Sequence, residues 1–223
     1  MGRFQARLLD HARTGLRDLP WRRTREPWPV LVSEIMLQQT QALRVVPRWR
    51  TFLAAFPTVE ACAAAPQSEV VAEWQGLGYN RRAVSLHRTA RAVAETHQGR
   101  FPDTEEGLRS LPGIGPYTAR ALLAFAFEQP VGVLDVNAGR VLARAVAAHP
   151  LTRREAQGLA DRLCPPREGW RWNQAMLDLG AVWCVRHEPR CLTCPVQEVC
   201  LWRGRGGPDP APGSAAESVR QSR

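Results

Sequence analysis

Apolar residues recur at three- and four-residue spacing through most of the chain. Segments 57–74 (PTVEACAAAPQSEVVAEW), 83–97 and 117–128 show this most plainly, and each predicts an amphipathic helix. Proline and glycine punctuate the segments and mark turns between them. No alternating apolar–polar run of strand length occurs, and no internal repeat is found. The pattern predicts an all-α fold. From residue 204 the chain reads GRGGPDPAPGSAAESVRQSR, almost without large apolar residues, so 204–223 is expected to be a flexible tail.

Two helices are expected to meet in a tight hairpin at LPGIGPYTARALLAF, residues 111–125. Thr104 followed by Glu105 and Glu106 reads as a helix start, with a hydroxyl cap and acidic first turn. That helix is expected to end at Pro112. Gly113 and Gly115 then supply the turn, and Pro116 suits the first turn of the next helix. Unpaired backbone N–H groups at such a start can grip a phosphate; a plain helical hairpin is the simpler reading. Further on, in VLDVNAGRVLAR (133–144), Asp135 is placed to cap a helix beginning near Val136.

Composition sharpens this picture. A chain of 223 residues suits one large domain or two small ones, with ample material for a core. The formal net charge is +9, which points to a polyanionic partner such as nucleic acid; a solvated basic surface is the plainer alternative. All 30 basic residues are arginine, so no side-chain ε-amine is available for chemistry. The charged N-terminus, MGRFQARLLDHART, lacks the apolar segment of a signal peptide. No apolar run approaches the ~18 residues of a membrane span.

Four of six cysteines fall within CVRHEPRCLTCPVQEVC, residues 184–200: Cys184, Cys191, Cys194 and Cys200. In a reducing compartment such a cluster reads as metal ligands rather than disulfides. Four thiolates suit a zinc ion or an iron–sulfur cluster. Cys62 and Cys164 stand apart and are expected to be buried thiols.

The hairpin, the aspartate and the Cys-x6-Cys-x2-Cys-x5-Cys loop, in this order, resemble the helix-hairpin-helix DNA glycosylases of the endonuclease III superfamily. Within it the chain is similar to the MutY-type adenine DNA glycosylases, over residues 9–203. The resemblance implies two helical subdomains: a six-helix barrel over 22–116 ending in the hairpin (104–128), and a cluster subdomain of 1–21 with 117–203. It implies a [4Fe–4S] cluster on the four cysteines, shaping a basic DNA-facing loop with Arg186, His187, Arg190 and Arg203. The partner implied is duplex DNA with a mismatched or damaged pair, bound by a monomer in the bacterial cytoplasm, on the nucleoid. Such proteins typically carry a C-terminal domain that recognises 8-oxoguanine. Here the chain passes into the polar stretch soon after Cys200 and is expected to be a catalytic core.

The same resemblance assigns roles. Glu34, in SEIMLQQTQ (33–41), matches the general acid that protonates departing adenine. Asp135 matches the carboxylate that stabilises the oxocarbenium-like sugar, with Asn137 beside it. Burial of Glu34 and capping by Asp135 are expected to hold the first protonated and the second ionised. Tyr117 stands where strand-cleaving members carry lysine, so a monofunctional enzyme using water is implied. Gln39 and Tyr79 match the residues that fill the gap left by the flipped base, with Gln38 and Thr40 adjoining. The family often has a second tyrosine where this chain has Asn80. Arg17, Leu19, Trp21 and Arg22, in RDLPWR, match the adenine pocket, and Gln174 the amide that reads the base edge. Two other readings stay open: a thymine or uracil mismatch glycosylase of this fold, and a non-catalytic iron–sulfur DNA-binding protein.

Overall fold

The computed structural model describes residues 2–204, and the expected tail lies outside them apart from Gly204. In chain order the helices are α1 (Gly2–Ala12), α2 (Pro27–Leu37), α3 (Ala42–Ala55), α4 (Val59–Ala64), α5 (Gln67–Glu73), α6 (Arg81–His97), α7 (Glu105–Ser110), α8 (Pro116–Phe125), α9 (Val136–Val141), α10 (Arg153–Leu163), α11 (Gly169–Asp178) and α12 (Leu201–Gly204). Single 3₁₀ turns form at Pro20–Arg23, Cys191–Thr193 and Gln197–Val199. Helices α9 and α11 each run on into a π-helical stretch, Leu142–Ala147 and Leu179–Trp183. No strand occurs among the described residues, as the periodicity predicts.

Local chemistry sets the helix starts. The Thr58, Thr104 and Asp135 side chains accept from the backbone N–H of Ala61, Gly107 and Ala138, and Thr152 forms a capping box with Glu155. Segment 57–74 is two helices rather than one. Pro66 forces Ala65 into extended backbone (φ −73°, ψ 149°), which ends α4 and opens α5.

The chain divides into two compact units, 18–128 and 1–17 with 129 onward. The boundaries expected from sequence, 21/22 and 116/117, differ from these. The difference lies in α8, which packs on α2 and α7 of the middle unit, so the whole hairpin stays in one body.

In the middle unit α2 is apolar on every side, and Trp28 through Met36 are buried apart from half-buried Pro29. A helix with no polar face must sit inside; α3, α6 and α8 pack around it. Phe52 anchors the aromatic core, edge-to-face with Phe56 and Trp74 at 5.1 and 5.8 Å. In the terminal unit Phe4 and Leu8 of α1 pack with Val141, Leu142, Trp172 and Leu179. Phe4 meets Trp172 edge-on at 6.1 Å. Cys62 and Cys164 are buried, as expected, and burial pushes the Cys62 thiol up to about 12.

Candidate active site and nucleic-acid interface

Glu34 lies in the third turn of the largely apolar α2 and is only 6% exposed. Placing a carboxyl inside a helix with no polar face is costly unless it is protonated or paired. Just beyond, α2 ends at Gln38, and Gln39 takes left-handed backbone (φ 58°). Tyr79 does the same (φ 51°) between Gly78 and α6, and the residue is 56% exposed. Left-handed backbone is uncommon for such residues and persists where the surroundings impose it.

Arg82 imposes it here. It is 7% exposed, and its guanidinium fastens two loops together. Nη1 donates to the carbonyls of Ile35 (3.1 Å), Met36 (3.0 Å) and Gln38; Nη2 donates to Leu77 (2.9 Å), Gly78 (3.1 Å) and the Thr40 hydroxyl (3.3 Å). Burial lowers its pKa from the ordinary arginine value. A planar fork of five N–H donors can serve diverging carbonyls in a way lysine cannot. The assignment of wedge roles to Gln39 and Tyr79 passed over this residue. The signal in GLGYNRR is an arginine three residues after a glycine–tyrosine turn, and only the fold distinguishes it from Arg81.

At the hairpin, Gly113 has φ +79°, and a Cβ there would lie 2.9 Å from that of Ser85. Glycine is required at that position. Gly115 differs from expectation. Its backbone is extended (φ −87°, ψ 175°), so the turn does not demand glycine; a Cβ there would meet nothing within 4 Å. Its place before α8 leaves open the approach to that helix's N-terminus. The first helix stops at Ser110, short of Pro112, whose carbonyl accepts from the Thr89 hydroxyl. Tyr117 follows in the first turn of α8, half-buried.

The RDLPWR segment is shared between the units. Leu19, Trp21 and Arg22 belong to the middle unit and are buried in and around the 3₁₀ turn, Trp21 packing edge-on against Trp49 at 6.1 Å. Arg17 belongs to the terminal unit. Its Nε donates to Asp178 at 2.6 Å and its backbone N–H to the same carboxylate at 2.9 Å. Asp178, 1% exposed, sits one turn after buried Gln174 on α11. Sequence reading missed Asp178, for which the i, i+4 spacing to Gln174 is the only local signal.

Also in the terminal unit, Asp135 is the N-cap of α9, as expected. Oδ1 accepts from the Ala138 N–H at 2.6 Å and Oδ2 from the Asn137 amide at 2.9 Å. Arg140 in turn donates to the Asn137 side-chain oxygen (2.8 Å), the Gly180 carbonyl (2.7 Å) and the Cys184 carbonyl (2.7 Å). Capping by the Ala138 N–H favours the ionised carboxylate, as expected, but burial acts in the opposite direction. Burial raises the Asp135 carboxyl above the ordinary carboxylate value, outweighing the Ala138 and Asn137 donors and the Arg140 charge.

Cys184, Cys191, Cys194 and Cys200 all line one cavity, together with Arg144, Val196 and Trp202. Among the described residues no group of three His, Cys, Asp or Glu side chains is arranged to hold a metal ion. The donor set nevertheless fits a four-thiolate centre. Burial holds Cys184, Cys191 and Cys194 protonated, Cys194 up to about 11, and neighbouring sulfurs of the set push the same way. Thiols lining one cavity can become ligands when a cation displaces their protons. Arg144, 3% exposed, donates to the Val185 and Arg186 carbonyls at 2.7 and 3.1 Å and lies 5.6 Å from the Trp202 ring. Arg186, His187 and Arg190 are exposed on the same loop; Arg203 is exposed and donates to Gln197.

Residues 32–166 match the family of HhH-GPD superfamily base excision DNA repair proteins. An adenine DNA glycosylase of Mycolicibacterium smegmatis is 43% identical over 203 residues, covering 89% of this chain and 68% of the relative. One of Homo sapiens is 40% identical over 216 residues, covering 91% of this chain and 40% of the relative. The chain thus spans about two thirds of its mycobacterial relative and less than half of its human one. Among solved structures, a thermostable thymine-DNA glycosylase superposes with a TM-score of 0.84 at 29% identity, over 91% of this chain and 95% of that one. An all-helical hairpin fold with this extent of sequence identity leaves one conclusion: the chain belongs to the HhH-GPD superfamily of base excision DNA repair proteins and, within it, to the adenine DNA glycosylases.

Proposed function

We propose that this protein is a monofunctional glycosylase that removes adenine mispaired with 8-oxoguanine or guanine in duplex DNA. The observation that carries the reading is the pair of carboxyls in a sequence that matches this family: Glu34 buried on an apolar helix, and Asp135, half-buried, capping a helix start. Glu34 donates its proton to a ring nitrogen of the flipped adenine. The C1′–N bond then breaks with its electron pair going to the base. Asp135 stabilises the sugar cation until water bonds to C1′, and the water's surplus proton returns to Glu34. Asn137 and Arg140 position the Asp135 carboxylate.

Gln39 and Tyr79, exposed on strained turns, fill the space the base vacates, with Gln38 and Thr40 beside them. By the match to the family, Arg17, Leu19, Trp21, Arg22 and Gln174 are each assigned to contact adenine, and the backbone around Gly113 and Gly115 binds phosphate. Tyr117 and the absence of lysine support water, not an amine, as nucleophile. The four cysteines hold a [4Fe–4S] cluster, which ties residues 184–200 into one loop and presents the loop's arginines to the DNA backbone. The protein acts as a monomer.

The likeness to a thymine-DNA glycosylase structure supports a second reading, removal of thymine from a G:T pair. Incubation with duplexes carrying A or T opposite G or 8-oxoguanine, followed by chromatography of released base, separates the two. Release of adenine is expected. Release of thymine without adenine would replace the first reading with the second, and release of neither would remove both.

A further inference from the structure

The terminal unit carries a second concave site that the glycosylase reading does not use. Its walls are α10, the π-helical stretch after α9 and the segment joining them, and its volume is about 550 Å³. The floor is apolar: Val146, Ala147, Leu151 and Leu159. Arg154, Gly158 and Arg162 lie at i, i+4 and i+8 on α10, so they form one stripe along the helix. At 1.5 Å per residue the two arginines stand about 12 Å apart. Both are exposed.

Gly158 between them makes a notch. A Cβ there would meet only Nη1 of Arg162, at 3.4 Å. The other charged groups at the cleft are His149 and Glu155. Glu155 is spoken for, accepting at 2.8 Å from both the backbone N–H and the hydroxyl of Thr152. The cleft thus sets the exposed Arg154 and Arg162 beside the buried Leu151 and Leu159.

We propose that this cleft docks a short acidic, amphipathic segment of a partner protein. Two carboxylates separated by two helical turns, or by about four extended residues at ~3.3 Å each, reach Arg154 and Arg162. An apolar side chain between them enters the notch at Gly158 and rests on Leu151 and Leu159. Charge complementarity selects the acid, and guanidinium forks bind carboxylates in pairs of hydrogen bonds. The floor selects against a phosphodiester backbone, which has no apolar side chain to bury there.

The test is fluorescence anisotropy of the full chain with a labelled twelve-residue peptide of Glu, Asp, Leu and Phe. Saturable binding is expected. It should weaken at least about tenfold, equivalent to 1.4 kcal/mol, in the Arg154→Ala/Arg162→Ala double variant. Gly158→Leu should weaken it as much by filling the notch. That change puts a better helix former at a position without backbone strain, so folding is preserved. The rate of adenine release should not change in either variant. The proposal is overturned if Gly158→Leu binds the peptide like the parent, if polyglutamate binds as well as the amphipathic peptide, or if no peptide binds. It is equally overturned if duplex DNA displaces the peptide and both variants lose DNA affinity in step, since the cleft would then be a nucleic-acid contact.

Discussion

The guanidinium of Arg82 lies 5.6 Å from the ring centre of Tyr79, while its nitrogens hold carbonyls of both α2's end and the turn before Tyr79. One buried side chain therefore sets the spacing between the two residues proposed to fill the gap in DNA. Replacing Arg82 by methionine leaves several buried carbonyls without donors, at ~1–3 kcal/mol each before relaxation. A fall in Tm of at least about 5 °C is expected, with single-turnover adenine release slowed more than DNA binding. Arg82→Lys should recover part of the stability and little of the rate, because an ammonium lacks the fork. Equal rates in parent and methionine variant would show that loop spacing is unimportant.

Asp135→Asn and Glu34→Gln should each leave binding of mismatched DNA largely intact and slow base release by at least about a hundredfold, since their charge or proton is needed only in the transition state. Turnover near the parent level in either variant, read by single-turnover assay, would displace that carboxyl from its role.

The raised pKa of Asp135 has a sign that can be measured. In the proposed mechanism the ionised form acts, and burial makes it harder to ionise. Activity should therefore fall on acidification at a higher pH than an ordinary aspartate, of reference value 3.8, would set. Removing the Asn137 donor by Asn137→Ala should move that limb of the pH–rate profile higher still. An unmoved or lowered limb would mean that Asn137 does not hold the carboxylate.

With no lysine and Tyr117 at the hairpin, the product should be an intact abasic site, nicked only after alkali. Borohydride should trap no protein–DNA adduct through a side chain. Efficient trapping that survives blocking of the N-terminal amine would contradict this.

Protein purified without air should contain close to four irons per chain, about the content of one cubane cluster, and Cys194→Ala should lose most of that iron and some thermal stability. Stoichiometric zinc in place of iron would assign the four thiols to a different centre.

The features legible in the sequence are those whose partners lie within a turn or two along the chain. Thr104 and Asp135 cap helices through hydrogen bonds spanning three residues, Gly113 answers a local backbone demand, and the cysteine spacing is a short-range pattern. Helical periodicity exposed α6 and α8 for the same reason. It failed at Ala65 because apolar spacing runs straight through a break made by Pro66. Long-range partners were invisible. Arg17 and Asp178 are 161 residues apart, and Arg82 and Ile35 are 47 apart. The unit boundary followed α8's packing, not any change in composition. The sequence by itself determined an all-helical hairpin protein with a helix-capping aspartate, a four-cysteine loop and no lysine. The tertiary structure decided that burial raises the Asp135 carboxyl, that Arg82 joins both loop tips and that α10 borders a cleft with exposed arginines. Burial and convergence of distant side chains come from packing in three dimensions, and no local pattern encodes them.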